Sequence, residues 1–118
     1  MQRPSTLCRL QHQQMDRLSC LRERYLQLTN QILPQLASKR QLLVTANRCF
    51  QRIVLDNLFG CCWYEVLNRN NGAAYKQLSE AQLSEAIAIA ELIIARPDEF
   101  IAQLNQNSLR WRGKVTSD

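Results

Sequence analysis

Large apolar side chains recur along one early stretch of the chain at intervals of three and four residues. They are Leu18, Leu21, Tyr25, Leu28 and Ile32. This spacing places all of them on one narrow stripe of a helix, which is typical of a coiled-coil seam. Apolar surface left in water costs about 25 cal/mol per Å². The pattern therefore predicts that another helix, from this chain or from a partner, covers the stripe.

A second helical run follows Pro34. Proline lacks a backbone donor and disfavours helical geometry at the preceding residue, Leu33, so a break or sharp bend is expected at 32–35. Two helices of similar length joined by a short bend most simply form an antiparallel hairpin, here 5–32 against 35–68. The alternative is one long helix with a kink at Pro34.

The clearest turn and cap signals lie in the second half of the chain. Asparagine and glycine tolerate the left-handed geometry that ends helices, so 69–78, which contains Gly72, is predicted to be a loop. Ser79-x-x-Gln82 is a capping box that begins a third helix over 79–95. Because this helix is apolar nearly all round in its second half, we expect it to be buried on more than one side.

A shorter helix is predicted to follow at 97–110. Pro97 suits the first helical position. Asp98 and Glu99 suit the first turn, where the positive end of the helix dipole favours negative charge. The residues beyond this helix are basic and are expected to form a flexible tail.

The predicted architecture is one all-α domain over 1–118. It has a long antiparallel helical hairpin at 5–68, a loop at 69–78, an amphipathic third helix with a short fourth helix at 79–110, and a flexible basic tail at 111–118. Only three glycines and three prolines interrupt 118 residues, which favours a few long helices.

Charge is distributed unevenly along the chain. The net charge is +5. Residues 1–69 carry ten basic and four acidic groups, whereas residues 70–118 carry five basic and six acidic groups. The acidic rear helix can fold back on the basic front half, or the front half can meet an anionic partner.

No stretch is apolar enough to span a membrane, and Met1–Gln14 lacks the apolar core of a signal peptide, so a cytoplasmic location is expected.

The chain contains five cysteines, of which Cys61 and Cys62 are adjacent. Metal sites use ligands about two to four residues apart, whereas neighbouring residues of a helix point about 100° away from each other. We expect free thiols that fill the core, with Gly60 allowing another helix to approach closely. A redox or metal role is the less favoured alternative.

No catalytic or cofactor motif is present. The single histidine, His12, lies in a polar stretch with only Asp16 nearby, so it is expected to be solvated. No serine, glycine-rich loop or pair of carboxylates matches a known catalytic arrangement. The sequence therefore predicts no enzymatic activity, no metal, no cofactor and no small-molecule substrate.

The leading functional hypothesis is a non-enzymatic helical interaction protein. We expect an adaptor or an assembly or secretion-type chaperone that uses the first-helix seam. This seam would bind the amphipathic helix of a protein partner, or a second copy in a homodimer. The predicted partner-binding residues are Leu10, Met15, Leu18, Leu21, Tyr25 and Leu28.

The alternative hypothesis is a small basic nucleic-acid-binding or regulatory protein. The basic residues of the hairpin can contact phosphates through salt-sensitive interactions. They are Arg9, Arg17, Arg22, Arg24, Lys39, Arg40, Arg48 and Arg52. A tryptophan in the tail can stack on a base. Asp16 and Glu23 beside the hairpin arginines indicate instead charges that flank a coiled-coil seam. The possible nucleic-acid-binding residues are Arg17, Arg24, Arg110, Trp111, Arg112 and Lys114.

Overall fold

The computed structural model describes the backbone of residues 6–42 and 47–113 and the side chains of residues 17–42 and 49–113. Every regular element in these ranges is helical, which confirms the all-α class. The α-helices are α1 (Thr6–Gln27), α2 (Leu33–Arg40), α3 (Asn47–Phe59), α4 (Glu80–Ala95) and α5 (Asp98–Trp111). A π-helical turn (Leu28–Ile32) joins α1 to α2, and 3₁₀ turns at Trp63–Glu65 and Ala74–Gln77 precede α4. None of the helices in the described ranges is both long enough and apolar enough to cross a membrane.

The chain stays helical through Pro34, where the sequence predicted a break. The N–H of Leu33 donates to the carbonyl of Leu28, five residues earlier, and thereby widens the helix for one turn. In a regular α-helix a proline ring collides with the carbonyl four residues before it. The wide turn changes the hydrogen-bond register immediately before Pro34, which allows α1 and α2 to continue as one helical segment.

The first helical segment ends at Gln41. This residue adopts a left-handed conformation with φ 54°. The N–H of Leu42 donates to the carbonyl of Ala37 over 2.9 Å and closes the end of α2. The predicted hairpin of 5–32 against 35–68 is therefore not reproduced, and the alternative of one long helix altered at its proline is closer to the structure.

Gly60 ends α3 about eight residues earlier than the sequence predicted. Its φ of 71° lies in the left-handed region, and its N–H donates to the carbonyl of Asp56 over 2.8 Å. A Cβ added at Gly60 would meet nothing within 4 Å, so the predicted close approach of another helix is wrong. Glycine is used here because it adopts the left-handed cap without a steric cost.

Helix α4 lies alongside α1 and runs in the same direction. Arg17 pairs with Glu80 at the start of α4 over 3.6 Å, and Arg24 pairs with Glu91 nearer its end over 3.4 Å. The predicted capping box forms, since the N–H of Gln82 donates to the Ser79 hydroxyl and the Ser79 N–H donates to the Gln82 side chain. The cap fixes where α4 begins, and its position beside α1 brings it over the apolar stripe.

The hydrophobic core lies where the π turn, α3 and α4 meet. Helix α5 packs mainly on α3. Tyr25, Leu28 and Leu33 contribute from the first helical segment, and all three are 1% exposed or less. The other buried apolar side chains are Ala37, Phe50, Ile53, Val54, Leu55, Ala74, Leu78, Leu83, Ala86, Ile87, Ala90, Ile93 and Ile101.

Candidate binding surfaces

Most of the apolar stripe on α1 is covered by other parts of the same protein. Tyr25 and Leu28 are completely buried, and Leu18 and Leu21 are half-buried against the core. The side chains of the other two predicted anchors, Leu10 and Met15, lie outside the described residues. A partner could reach Tyr25 and Leu28 only by displacing parts of the protein packed on them, so these two residues stabilise the fold.

Tyr25 is buried with its hydroxyl unpaired. Among the described residues no hydrogen-bond partner reaches this oxygen. Its ring stacks on that of Tyr75, with centroids 6.4 Å apart. Burial raises the pKa of the Tyr25 phenol, because ionisation would place a charge in an apolar environment.

One face of α4 has no covering element among the described residues. Ala81, Ala88, Leu92 and Ala95 are all exposed, and Leu92 keeps 41% of its surface in contact with solvent. Their spacing places them on one side of the helix, opposite the buried Leu83, Ala86, Ala90 and Ile93. The expectation that α4 is buried on more than one side therefore does not hold for this face, which is a smooth apolar stripe.

Charged residues flank this exposed stripe on both sides. Glu91 borders the edge next to α1, where Arg24 neutralises it. Glu85 and Arg96 lie on the opposite edge, and both are exposed. The Arg96 guanidinium lies 5.6 Å from the centre of the Phe100 ring and has no carboxylate within 4.0 Å among the described side chains.

A buried carboxylate joins α3 to the end of α5. Asp56 is 0% exposed and accepts the Ser108 hydroxyl over 2.6 Å. It also accepts two hydrogen bonds from Arg112, at 2.7 Å and 3.2 Å, and one from the backbone N–H of Trp63 at 2.9 Å. These bonds raise the pKa of the Arg112 guanidinium further above its ordinary value. The carboxylate thus holds the last turn of α5 and the 3₁₀ turn at Trp63 in place.

Arg52 extends the same network but contacts neutral groups. It donates to the Ser108 hydroxyl over 2.7 Å and to the Asn105 side-chain carbonyl over 2.8 Å. No described carboxylate lies within 4.0 Å of its guanidinium. The positive charge of Arg52 is therefore oriented without being neutralised by direct contact.

A cleft of about 430 Å³ opens beside Arg52 and Arg112. Arg52 and Arg112 line it together with the apolar Leu55 and the aromatic Trp63. The remaining lining residues are Cys49, Gln51, Tyr64, Gly72, Ala73 and Ala74. The arrangement combines fixed positive charge with aromatic and aliphatic surface, which suits an amphiphilic anion.

Aromatic and arginine side chains continue from the cleft to the surface. The Tyr64 ring lies edge-on to Trp63, with centroids 4.5 Å apart. The guanidinium carbons of Arg69 and Arg112 each lie 4.8 Å from the centre of the Tyr64 ring. Cation–π contacts of this kind hold Tyr64 at the rim, where 43% of its surface remains exposed.

The structure separates the residues that the nucleic-acid hypothesis selected. Arg17 and Arg24 form exposed ion pairs with acids of α4. Arg110 donates to the Asn107 side chain over 2.9 Å, and Trp111 is the partly exposed last residue of α5. Arg112 is held by Asp56, and Lys114 lies outside the described residues. Among the members of this set that the structure describes, Arg112 alone lines the cleft.

Asp56 was missed by sequence reasoning. A signal was present, because it interrupts the apolar run Ile53-Val54-Leu55 at a position that a helix must bury. A lone acid in such a run requires partners, since an unpaired buried charge is costly. The sequence did not indicate which groups, more than fifty residues away, supply them.

The adjacent cysteines lie next to this network. Cys61 and Cys62 are half-buried free thiols in the irregular segment after α3. Burial, together with the nearby Glu65 carboxylate, raises the pKa of the Cys61 thiol. In the described ranges, His, Cys, Asp and Glu nowhere form a group of three or more that could hold a metal ion.

Known proteins give no guide to the function of these surfaces. No protein-family model, no curated protein and no solved structure matches this chain.

Proposed function

We propose that this protein is a non-enzymatic interaction protein that forms a homodimer through the exposed face of α4. The observation that carries the proposal is the stripe of Ala81, Ala88, Leu92 and Ala95, which is apolar, exposed and correctly spaced for helix packing. Alanines allow a second helix to approach closely, and Leu92 supplies the largest apolar contact. We therefore propose α4 as the interaction surface instead of the predicted α1 seam, whose Tyr25 and Leu28 are buried.

The flanking charges favour an antiparallel pair of α4 helices. With Ala88 at the two-fold axis, Glu85 of one copy and Arg96 of the other lie on the same flank, about 7.5 Å apart along the helix. Both side chains are long enough to meet across that distance. A parallel two-fold pair in register would instead put Glu85 and Arg96 of one copy on the flank opposite to those of the other copy, so they could not pair across the interface. Isologous antiparallel packing therefore pairs these charges, whereas parallel packing would leave them unpaired.

The dimer is expected to be reversible. One helix face built mainly from alanine buries less than the roughly 1,200 Å² that is typical of stable complexes. Its dissociation constant should therefore be on the order of micromolar. Such a surface also suits an adaptor or assembly factor, because a weak homodimer can exchange for the helix of another protein. We also propose that the protein has no enzymatic activity and that it is cytoplasmic.

Light scattering over a range of concentrations tests self-association. The mass should rise from the 13.7 kDa monomer towards twice that value as concentration increases. Leu92→Glu should keep the protein monomeric, because the dimer would bury an unpaired charge. Ala102→Glu is the matched control, since Ala102 is exposed on α5, away from this face. A wild type that remains monomeric at millimolar concentration contradicts the proposal.

Cysteine cross-linking tests the orientation of the pair. Ala88→Cys should form an 88–88 disulfide on mild oxidation, detectable as a cross-linked peptide by mass spectrometry. Ala81→Cys should not form an 81–81 disulfide, because these positions lie about 21 Å apart along the axis of the antiparallel pair. Efficient 81–81 cross-linking would refute the antiparallel arrangement and support a parallel one.

A further inference from the structure

We infer that the cleft beside Arg52 and Trp63 binds a nucleotide, through its phosphate and its base, either as a free mononucleotide or as one unit of a single strand. This activity is separate from the α4 surface and does not depend on dimerisation. The cleft lies between α3, the 3₁₀ turn that begins at Trp63, and the loop at 72–74. Its volume of about 430 Å³ is within the range of small-molecule sites.

Arg52 supplies the phosphate-binding charge. Two of its hydrogen bonds go to the neutral oxygens of Ser108 and Asn105, which orient the guanidinium. The Ser108 hydroxyl links Arg52 to the Asp56 carboxylate, but Asp56 already pairs directly with Arg112, so two guanidinium groups share one buried carboxylate and an anion that enters the cleft gains interaction energy. The fork of N–H donors matches the spacing of phosphate oxygens.

Arg112 contributes a guanidinium group of fixed orientation rather than net charge. Its two hydrogen bonds to Asp56 neutralise the guanidinium and restrict its rotamers. Arg52 and Arg112 together with Asp56 therefore leave one excess positive charge beside the cleft. A monoanionic or dianionic phosphate is the simplest complement to that charge.

The apolar part of the cleft suits a base. The Trp63 indole can stack on any base, because stacking requires only a π-face. Leu55, Ala73 and Ala74 complete the apolar lining and carry no side-chain hydrogen-bonding groups. The site should therefore prefer nucleotides over inorganic phosphate, with weak discrimination between bases.

The rim of the cleft continues the same chemistry outward. Tyr64, with Arg69 and Arg112 against its ring, presents an exposed aromatic group beside positive charge. A neighbouring nucleotide of a strand would meet this rim. A free mononucleotide would not contact the rim. Arg69→Gln should therefore weaken the binding of a strand but not that of a free mononucleotide.

Tryptophan fluorescence tests occupancy directly. The chain has two tryptophans, and Trp111→Phe leaves Trp63 as the single reporter inside the cleft. Titration with AMP, UMP, a short oligouridine, inorganic phosphate and benzoate should change Trp63 emission most strongly for the nucleotides or the strand. Arg52→Gln should weaken that binding about tenfold or more. Lys39→Gln removes an exposed positive charge on α2, outside the residues that line the cleft, and should leave it unchanged.

Cysteine protection supplies an independent measurement. Cys49 lines the cleft, whereas Cys20 is exposed on α1, away from it. Bound nucleotide should slow alkylation of Cys49 and leave Cys20 unaffected, as read by mass spectrometry of the labelled peptides. Arg52→Lys keeps the charge and should bind more tightly than Arg52→Gln. Thermal unfolding of both variants separates a folding defect from a binding defect.

Each outcome decides the proposal. Protection by AMP or UMP that is insensitive to Arg69→Gln identifies a free mononucleotide as the ligand. Binding of oligouridine alone, lost with added salt and weakened by Arg69→Gln, identifies a single strand. The proposal is overturned if benzoate binds as well as the nucleotides, or if AMP, UMP and oligouridine cause neither quenching nor Cys49 protection at about 10 mM.

Discussion

Arg112 and Asp56 form an ion pair across the interface of α3 and α5, with Nε and Oδ2 2.7 Å apart. The carboxylate is fully buried, and the arginine side chain is only 13% exposed. Water therefore screens this pair far less than the three other ion pairs of the described side chains, whose partners are 33% to 66% exposed. The pair joins the end of the last helix to the centre of the fold.

Asp56→Asn should lower the free energy of unfolding by about 3 kcal/mol, because it leaves the Arg112 charge without its buried counterion. Urea denaturation provides the measurement. Glu91→Gln is the matched control, since it breaks the exposed pair with Arg24 and should cost less than about 1 kcal/mol. Equal effects of the two variants would show that burial adds nothing to the Asp56 pair.

A double-mutant cycle separates the pair from its surroundings. Arg112→Gln combined with Asp56→Asn should cost less than the sum of the single variants, because neither charge then remains unpaired. Strict additivity would mean that the two side chains act independently, contrary to the 2.7 Å contact.

Ser79→Ala should lower the free energy of unfolding by about 1 kcal/mol, because it removes the hydroxyl that accepts the N–H of Gln82 at the start of α4. Ser84→Ala offers a control at an exposed position within the same helix, where alanine is the better helix former and stability should not fall. Thermal unfolding of both variants gives the comparison. A Ser79 variant as stable as the Ser84 variant would contradict the importance of the cap.

Tyr25→Phe should raise the free energy of unfolding by about 1 kcal/mol, because it removes a buried hydroxyl that has no hydrogen-bond partner among the described residues. Its ring would remain stacked on Tyr75. Tyr75→Phe is the control for loss of a hydroxyl at a half-buried position. Destabilisation by Tyr25→Phe would show that the hydroxyl makes a favourable interaction in solution.

Tyr25→Phe should also change how the free energy of unfolding depends on pH in the alkaline range. Burial raises the pKa of Tyr25 above its ordinary value of 10.0. Above that pH the unfolded chain releases the phenolic proton while the folded chain retains it, so the unfolded state binds fewer protons and stability falls as pH rises. Denaturation between pH 9 and about 11 should show a shallower decline for Tyr25→Phe. An identical decline in wild type and variant would exclude Tyr25 as the source.

Cys61 should react with alkylating reagents more slowly than Cys20 at about pH 8, because burial and Glu65 raise the pKa of its thiol and reduce the thiolate fraction. Mass spectrometry of each labelled cysteine gives the rates as a function of pH. Glu65→Gln should accelerate the reaction of Cys61 and leave that of Cys20, on α1, unchanged. Equal acceleration of both thiols would indicate a general loosening of the fold.

Local interactions explain the parts of the fold that sequence reasoning predicted correctly. The capping box at Ser79 and Gln82 forms because its groups are three residues apart and meet in any helix that starts there. Asp98 and Glu99 lie in the first turn of α5 for a similarly local reason. The sequence indicated Gly60 as a point where another helix approaches closely. Gly60 is instead a left-handed cap, and that role depends on where α3 ends.

The sequence by itself determined that this chain is helical and which residues begin its later helices, because propensity, spacing and caps act within a few residues. Only the tertiary structure decided that α1 continues through Pro34, which face of α4 stays exposed, and that Asp56, Ser108 and Arg112 meet beside Arg52. The last of these features arises from contacts between segments more than fifty residues apart. Such contacts depend on how complete helix faces pack, and one sequence does not encode that in any local pattern.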